Sequence, residues 1–174
     1  MTDSDNDRIR TIEDVRRWLR RDLVQRGAIP PEGALTLGCF LRDPVNYFML
    51  MLRLKEWTVN ARVPLPVRLP RALLFRRAQI RLGFAIPPNT FAPGLAIVHF
   101  GSIVVNGNAR IGENCRIHVG VNIGGGGGLM DAEKARSMAP ALGRNVYIAP
   151  GAKIYGPGRI ADGCAIGANA VVNR

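Results

Sequence analysis

The sequence predicts a mainly β protein, a parallel β-helix preceded by a small α-helical region. In the second half of the 174-residue chain, aliphatic residues recur at every sixth position, as in hexapeptide-repeat solenoids. A small side chain follows most of them four positions later, and glycine, asparagine and aspartate fill the positions between. In the first half, apolar residues recur instead at the three- and four-residue spacing of an α-helix.

The composition allows one domain with a substantial core, or one domain with a small appendage. The chain is 47% hydrophobic and carries a formal net charge of +11. A positive balance admits nucleic acid, an anionic membrane surface or an anionic small molecule as partner. We expect no nucleic-acid partner, because no zinc-finger spacing, helix-turn-helix pattern or aromatic-basic RNA motif is visible.

Three further features favour a cytoplasmic protein. The three cysteines are widely spaced and odd in number, which argues against a disulfide framework. The N-terminal residues are polar and acidic, unlike a signal peptide. The longest apolar stretch, Tyr47 to Leu52, is too short to span a bilayer.

The first helix of the N-terminal region, residues 1–83, should begin after Thr11. The segment from Thr11 to Asp14 fits a capping box, and Gly27 should end the helix at about Arg26. Apolar residues at helical spacing form its expected buried stripe, namely Ile12, Val15, Leu19 and Leu23.

Two more helices are expected before the repeats begin. Asp43 suits the N-cap of the second helix, with Pro44 at its first position. Prolines then interrupt the chain, so a third, shorter helix should follow Pro70 and stop at Gly83. The expected buried stripe of the second helix is Val45, Phe48, Met49 and Leu52.

The repeats occupy residues 84–174. Three six-residue units should close one triangular coil of about 18 residues, with aliphatic side chains stacked inside at about 4.8 Å. The phase slips between Ile123 and Leu142, so residues 124–141 should form an extruded loop. The inward ladder is Val105, Ile111, Ile117, Ile123, Leu142, Ile148, Ile154, Ile160, Ile166 and Val172. Cys115 and Cys164 take small corner positions, which predicts packing residues rather than nucleophiles.

The segment His99 to Gly125, HFGSIVVNGNARIGENCRIHVGVNIGG, resembles the serine acetyltransferase branch of the hexapeptide-repeat acyltransferases. The flanking LGFAIPPNTFAPGLAIVHFG and IGANAVVN resemble members often linked to capsular or extracellular polysaccharides. The resemblance covers about residues 45–174. It implies a left-handed coil, an exception to the right-handed crossover rule, and an acetyl-CoA-dependent O-acetyltransferase.

His99 falls on the catalytic histidine of that family. Histidine suits a general base because its pKa lies near working pH. His118 follows about one coil later, so the two imidazoles should lie near one another. His118 could orient the acceptor, tune His99 or help hold the oxyanion, and the alternative for either residue is a surface histidine without a role.

The resemblance also implies contacts for acetyl-CoA. Glycine-rich backbone can approach a ligand closely and offer N–H donors, although a flexible linker is the alternative for the run that starts at Gly124. Lys153, Arg159 and Arg174 are candidates for the CoA phosphates, with solvated surface charge as their alternative. No metal is expected, because two histidines per chain cannot supply a three-histidine zinc site. The expected cofactor-binding residues are Gly124, Gly125, Pro150, Lys153 and Ala168.

Two positions depart from the serine-specific members. The acidic residue of a DIHP-like segment is missing where this chain has Ala85, and Ala139 replaces a second histidine after the loop. A hydroxyl of a saccharide or polysaccharide precursor is therefore the expected acceptor. The alternatives are a serine O-acetyltransferase of cysteine biosynthesis and a non-catalytic β-helix scaffold.

The family resemblance implies a homotrimer or a dimer of trimers, with sites between neighbouring β-helices. The basic stretch 53–81 contains interleaved leucines, which makes it a candidate for contact with the inner membrane face. A solvated helix face or a trimer contact is the alternative. The chain stops inside what should be its final coil, so truncation at Arg174 is expected.

Overall fold

The computed structural model describes residues 8–125 and 131–173. Four helices come first and a solenoid of short strands follows, with one further helix in the loop between its repeats. The helices are α1 Ile12–Arg26, α2 Leu37–Arg42, α3 Pro44–Asn60, α4 Leu65–Leu82 and α5 Ala132–Ser137. Within the described residues, no helix is long and apolar enough to cross a membrane.

The N-terminal helix α1 has the expected ends. The Thr11 side chain accepts a hydrogen bond from the backbone N–H of Asp14, whose carboxylate returns one to the Thr11 N–H, which completes the capping box. Gly27 ends the helix in the left-handed conformation. The predicted stripe is buried except for Ile12, which is 41% exposed, because the first turn of α1 lies at the protein surface.

Helices α3 and α4 agree with the sequence to different degrees. Asp43 caps α3, Pro44 takes its first position, and the four predicted stripe residues are buried. The expectation that the next helix follows Pro70 is wrong, because α4 begins at Leu65. A proline in the first turn, such as Pro66, loses no intrahelical bond. Pro70 lies inside the helix and lacks the N–H that would bond to the preceding turn, which the burial of Phe75, Ala78 and Leu82 offsets. The short helix α2 was not expected at all.

The solenoid is the predicted left-handed parallel β-helix, with three sheets forming the sides of a triangle. Its strands are β1 Phe84–Ala85, β2 Ala96–Ile97, β3 Ile103–Val105, β4 Arg110–Ile111, β5 Arg116–Ile117, β6 Asn122–Ile123, β7 Ala141–Leu142, β8 Tyr147–Ile148, β9 Lys153–Ile154, β10 Arg159–Ile160, β11 Ala165–Ile166 and β12 Val171–Val172. The sheets run β1-β3-β6-β9-β12, β10-β7-β4 and β11-β8-β5-β2, all in parallel register.

The predicted ladder forms the interior of the solenoid. Ile148 lies over Ile117 and Ile166 over Ile148, the latter at the expected 18-residue spacing. The pairing of Ile117 with Ile148 spans the extruded loop, which carries α5. The ladder is buried up to Ile154, and near the C-terminal end Ile160 and Val172 are partly exposed.

Cys115 supports the prediction of a packing role for the corner cysteines. Its side chain is 1% exposed, and burial raises the pKa of its thiol to about 12. A thiol with so high a pKa stays protonated and is a poor nucleophile at neutral pH. Cys164 takes the equivalent corner near the C-terminal end and is only partly buried.

A buried charge cluster fastens the helices to the first coil. The guanidinium of Arg53 donates to the carbonyls of Phe91 and Ala92. Asp22 accepts the backbone N–H groups of Gly94 and Leu95. Two helices thus hold the segment that leads directly into β2, the strand before His99.

Candidate active site

One corner of the solenoid collects four of the residues singled out in the sequence. The strands β2, β5, β8 and β11 form one sheet, and the chain turns a corner after each of them. The residues that follow these strands are His99, His118, Pro150 and Ala168. Because the strands are stacked in parallel register, these four residues form a staggered column along the corner. His99, Pro150 and Ala168 lie two positions after their strands, and His118 lies one position after β5.

The turn that carries His99 is longer than the one above it. Ile97 pairs with Ile117 and Val105 pairs with Ile123. The chain therefore has two more residues between β2 and β3, where His99 lies, than between the corresponding positions of β5 and β6. The additional length lets the chain bulge outward, and His99 and its neighbour Phe100 are both exposed. The strand itself is fixed, since Arg26 at the end of α1 donates its Nε–H to the carbonyl of Ile97 at 2.7 Å.

The two histidines lie close together, as predicted. Their ring centroids are 6.3 Å apart. Nε2 of His118 is buried and has no hydrogen-bond partner within residues 8–125 and 131–173. Desolvation, followed by the charges of Arg116 and His99, lowers the pKa of His118 from its ordinary value. His118 is therefore neutral near pH 7, with one ring nitrogen as donor and the other as acceptor.

Tyr147 is a site residue that the sequence reasoning missed. Its ring meets that of His118 edge to face, with centroids 5.2 Å apart. The residue precedes Ile148 on the neighbouring coil, so its side chain points outward on the same side of the sheet as His118. The hexapeptide period places position 147 on that outer face, but the period alone gives no reason to prefer it over other outward residues.

Two of the remaining predicted contacts lie on a different corner, whereas Lys153 begins the strand that follows the histidine corner. Gly124 and Gly125 follow β6, a strand of the five-stranded sheet. A side chain at position 124 would meet the ring of Tyr155, so this glycine makes room for an aromatic residue of its own chain. The ammonium of Lys153 donates to the carbonyl of Gly120 at 2.6 Å, an internal contact that the prediction of a phosphate ligand did not include.

The other candidates for CoA contacts that the structure describes are exposed. Pro150 is exposed, and its carbonyl accepts the backbone N–H of Asn169, so that oxygen is already engaged. Ala168 and Arg159 are exposed. Arg174 lies outside the described residues. Within the described part of the chain, no three His, Cys, Asp or Glu side chains come together as a metal-binding group.

A polar pocket of about 570 Å³ adjoins the helical side of this region. Arg42, Asp43 and Asn46 contribute to its lining together with Arg26, the residue that holds the carbonyl of Ile97. Asp43 accepts from Arg26 at 2.7 Å, whereas the guanidinium of Arg42 makes no hydrogen bond or ion pair with any described residue. The pocket therefore presents an uncommitted guanidinium beside a carboxylate.

The two departures from the serine-specific pattern are visible in the structure. Ala85 ends β1 and is exposed, and Ala139 follows the C-terminus of α5. Neither position offers a group that could bond to His99. Within the described chain, the ring partner of His99 is His118, and no carboxylate bonded to His99 occurs there.

The six-residue repeats, the three-sided coil and the histidine corner define the class of protein. It is a left-handed β-helix protein of the hexapeptide-repeat type. Comparison with known proteins narrows this class. No family model matches the chain, but curated serine acetyltransferases do. That of Synechococcus elongatus is 29% identical over 155 residues, which cover 88% of this chain and 59% of the relative.

Two other relatives match over shorter segments. The serine acetyltransferase of Mycobacterium tuberculosis is 40% identical over 76 residues, 44% of this chain and 31% of the relative. That of Helicobacter pylori is 34% identical over 100 residues, 57% of this chain and 56% of the relative. The chain spans less than two thirds of the length of these relatives.

Solved structures show the same fold. Soybean serine acetyltransferase without ligand aligns with a TM-score of 0.70 at 23% identity, over 91% of this chain and 63% of that one. The enzyme from Neisseria gonorrhoeae aligns with a TM-score of 0.69 at 22% identity, over 92% of this chain and 60% of that one. These structures support the fold. The curated relatives support the resemblance to hexapeptide-repeat acyltransferases and favour the serine acetyltransferase alternative over the polysaccharide branch.

Proposed function

We propose that this protein is an acetyl-CoA-dependent O-acetyltransferase with His99 as the general base. The observation that carries the proposal is the pair of histidines at one corner, with ring centroids 6.3 Å apart. His99 is exposed on an outward bulge, where a substrate can reach it. The similarity to serine acetyltransferases supplies the reaction class.

The reaction needs little beyond a base and a site for developing negative charge. His99 takes the proton of the acceptor hydroxyl while its oxygen attacks the carbonyl carbon of the thioester. The tetrahedral intermediate then collapses, the carbon–sulfur bond breaks, and the proton passes from His99 to the leaving sulfur. The products are the O-acetyl ester and free CoA, and no oxidant, reductant or metal takes part.

His118 acts in this scheme as a neutral neighbour. Its lowered pKa keeps it uncharged, so it does not oppose protonation of His99 by like-charge repulsion. Its buried Nε2 has no hydrogen-bond partner in the described chain. We assign it to hydrogen bonding with the bound substrates, either the acceptor or the oxyanion.

The thioester arm fits along the column above the histidines. Pro150 and Ala168 are small, exposed residues on the next two coils of that corner. They leave the path open for a pantetheine chain. Lys153 begins the strand that follows this corner. Gly124 and Gly125 follow β6 at the next corner, so they would take part from the far side of the ligand or from a neighbouring subunit. A homotrimer, with each site closed by the next β-helix, accommodates both sets and is part of this proposal.

L-serine is the acceptor that the similarities favour. The polar pocket next to the strand of His99 supports it, because Arg42 and Asp43 could bind the carboxylate and the ammonium of a zwitterionic amino acid. The missing counterparts at Ala85 and Ala139 are the reason to keep a saccharide hydroxyl as the competing acceptor. With L-serine as its acceptor, the protein would be a serine O-acetyltransferase that supplies a precursor for cysteine.

Release of free thiol from acetyl-CoA tests the proposal. The protein is assayed with L-serine, with nucleotide sugars and with oligosaccharides. The His99→Ala variant should lose roughly 100-fold or more in kcat, while Val171→Ala, a truncation at an exposed strand residue of another sheet, should retain full turnover. No turnover with any acceptor, together with no binding of acetyl-CoA, would establish the scaffold alternative instead.

The acceptor is identified by a second comparison. If serine is the substrate, Arg42→Gln should raise its KM with little change in kcat, since Arg42 binds and does not react. Turnover with a saccharide and none with serine would replace the acceptor while leaving the reaction class intact.

A further inference from the structure

The outer face of α4 carries apolar side chains that no described part of the chain covers. Phe75, Ala78 and Leu82 on the inner face are buried. The outer residues recur four, four and seven positions apart, which places them on one side of a helix. They are Leu65 at 59%, Leu69 at 52%, Leu73 at 55% and Ile80 at 70% exposure.

A groove continues this apolar surface towards α2. It encloses about 680 Å³, and Phe40, Tyr47 and Leu74 are among its lining residues. On its α2 side, Leu41 is 74% exposed and Leu37, one turn earlier, is 73% exposed. We call the exposed apolar residues of α2 and α4, together with this groove, the α2–α4 surface. A continuous apolar area of this kind marks an interaction site more often than chance exposure.

The charge on this surface has a single sign. Helix α4 contains five arginines and no acidic residue, and the chain has no acidic residue between Glu56 and Glu113. Arg77 and Arg81 line the groove. None of the α4 arginines forms an ion pair within residues 8–125 and 131–173. The α4 arginines are Arg68, Arg71, Arg76, Arg77 and Arg81.

This charge distribution decides between the partners that an apolar surface could have. A second copy, docked face to face, would bring two sets of arginines together without one carboxylate to offset them, which is unfavourable. An acidic protein would satisfy the arginines only by placing Asp or Glu beside the leucines, and these two residues are depleted in protein interfaces. An anionic lipid surface suits both the apolar residues and the arginines. The leucines enter the boundary of the acyl chains while the arginines extend to the phosphates.

We propose that the α2–α4 surface docks on an anionic phospholipid bilayer. Leu69, Leu73 and Ile80 insert at the level of the headgroups, and Arg76 and Arg77 beside them contact lipid phosphates. The groove next to Arg81 accommodates part of an acyl chain. This inference concerns a surface separate from the histidine corner, and it stands or falls independently of the proposed acetyl transfer.

Vesicle co-sedimentation of the full chain tests the proposal. Vesicles of phosphatidylcholine alone are compared with vesicles containing about 30% phosphatidylglycerol, at about 0.1 M and about 0.5 M salt. We expect binding only to the anionic vesicles, weakened at high salt. The double variants Leu69→Ser with Leu73→Ser, and Arg76→Gln with Arg77→Gln, should each bind roughly tenfold more weakly or worse.

Two control variants separate this surface from net charge and general hydrophobicity. Arg16→Gln with Arg136→Gln removes the same charge from exposed positions on α1 and α5 and should bind like the unchanged chain. Val171→Ser removes an exposed apolar residue, 66% accessible, at the far end of the solenoid, and should also bind normally. All substitutions are at exposed positions, and circular dichroism verifies that each variant is folded.

Each outcome decides the proposal. Binding that is lost in both α4 variants and kept in both controls supports it. Equal binding to neutral and anionic vesicles, or loss of binding in the charge control as well, overturns it. A third outcome replaces the lipid by a second copy of the chain. In that case the protein does not bind vesicles, and light scattering shows an oligomer that the Leu69→Ser, Leu73→Ser double variant dissociates.

Discussion

Arg53 and Asp22 form a fully buried ion pair between α3 and α1. Nε of Arg53 lies 2.7 Å from Oδ2 of Asp22, and both side chains are 0% exposed. Glu56, one turn along α3, accepts a second bond from the same guanidinium at 2.9 Å. Burial alone would disfavour the charged guanidinium, but the two carboxylates raise the pKa of Arg53 above its ordinary value. Arg53 therefore remains charged at any pH at which the protein is folded.

The first prediction is that Arg53→Met strongly destabilises the fold. The substitution leaves Asp22 and Glu56 buried without a counter-charge and frees the carbonyls of Phe91 and Ala92, at a cost of about 3–5 kcal/mol. Denaturant unfolding measures this loss. Arg144→Met is the matched control, because its pair with Asp162 has side chains 65% and 52% exposed, and an ion pair so open to solvent contributes little to stability. Equal losses in both variants would contradict the prediction.

This cluster is a feature of the fold that the sequence does not predict. The repeat period was sufficient to predict the solenoid, because a parallel coil needs an inward aliphatic residue at each strand and leaves that signal in the sequence. Asp22 and Arg53 are 31 residues apart on two helices whose packing angle no local pattern encodes. Their pairing could not be predicted for that reason.

The candidate site was predictable to the same extent. His99 and His118 were placed together because the coil length fixes which residues stack, and their proximity follows from it. The period places Tyr147 on the outer face, but it gives no reason to single this residue out from the other outward side chains. The polar pocket at Arg42 and Asp43 depends on how the helices dock on the first coil, which the repeat does not determine.

A second prediction concerns the pKa of His118. Desolvation, then the charges of Arg116 and His99, lower it below the ordinary 6.5, so Arg116→Gln should shift it upward towards that value. Histidine Cε1–H resonances followed by NMR against pH give the pKa directly. A His118→Asn variant assigns the resonance, and an unchanged or lower pKa in Arg116→Gln would contradict the proposed cause.

The same lowered pKa has a consequence for stability. The unfolded chain takes up a proton at His118 at a higher pH than the folded chain does. Stability at this site is therefore complete above pH 6.5 and declines as pH falls from there towards the folded pKa. Denaturant midpoints should show a smaller loss between pH 7 and pH 5 in His118→Asn than in the unchanged chain, and a loss of equal size would exclude this contribution.

A third prediction tests the capping box of α1. Thr11→Ala removes the side-chain bond to the N–H of Asp14, 3.0 Å long, and should cost about 1 kcal/mol. Thr36→Ala is the matched control, since Thr36 takes the N-cap position of α2 but makes no side-chain cap bond. Its effect on the free energy of unfolding should stay within a few tenths of a kcal/mol. Thermal or denaturant unfolding distinguishes the two, and a control as costly as Thr11→Ala would remove the cap as the cause.

The last prediction concerns Gly94, which lies where the charge cluster meets the first coil. Its φ is 87°, and an added Cβ would come within 2.9 Å of the backbone nitrogen of Asn114 and still closer to its side-chain oxygen. Backbone strain of about 1–2 kcal/mol adds to a steric cost of about 1–3 kcal/mol, so Gly94→Ala should lose about 2–5 kcal/mol. The N–H of Gly94 also donates to Asp22 at 2.8 Å, so any shift of this turn weakens the buried cluster.

Gly163 provides the control that separates strain from crowding. Its φ of 74° is similarly left-handed, but a Cβ there would meet nothing within 4 Å. Gly163→Ala should therefore cost only the strain, about 1–2 kcal/mol. If Gly94→Ala were no worse than Gly163→Ala in denaturant unfolding, the turn could move away from Asn114 without disturbing Asp22. The helices would then hold the first coil less rigidly than these contacts indicate.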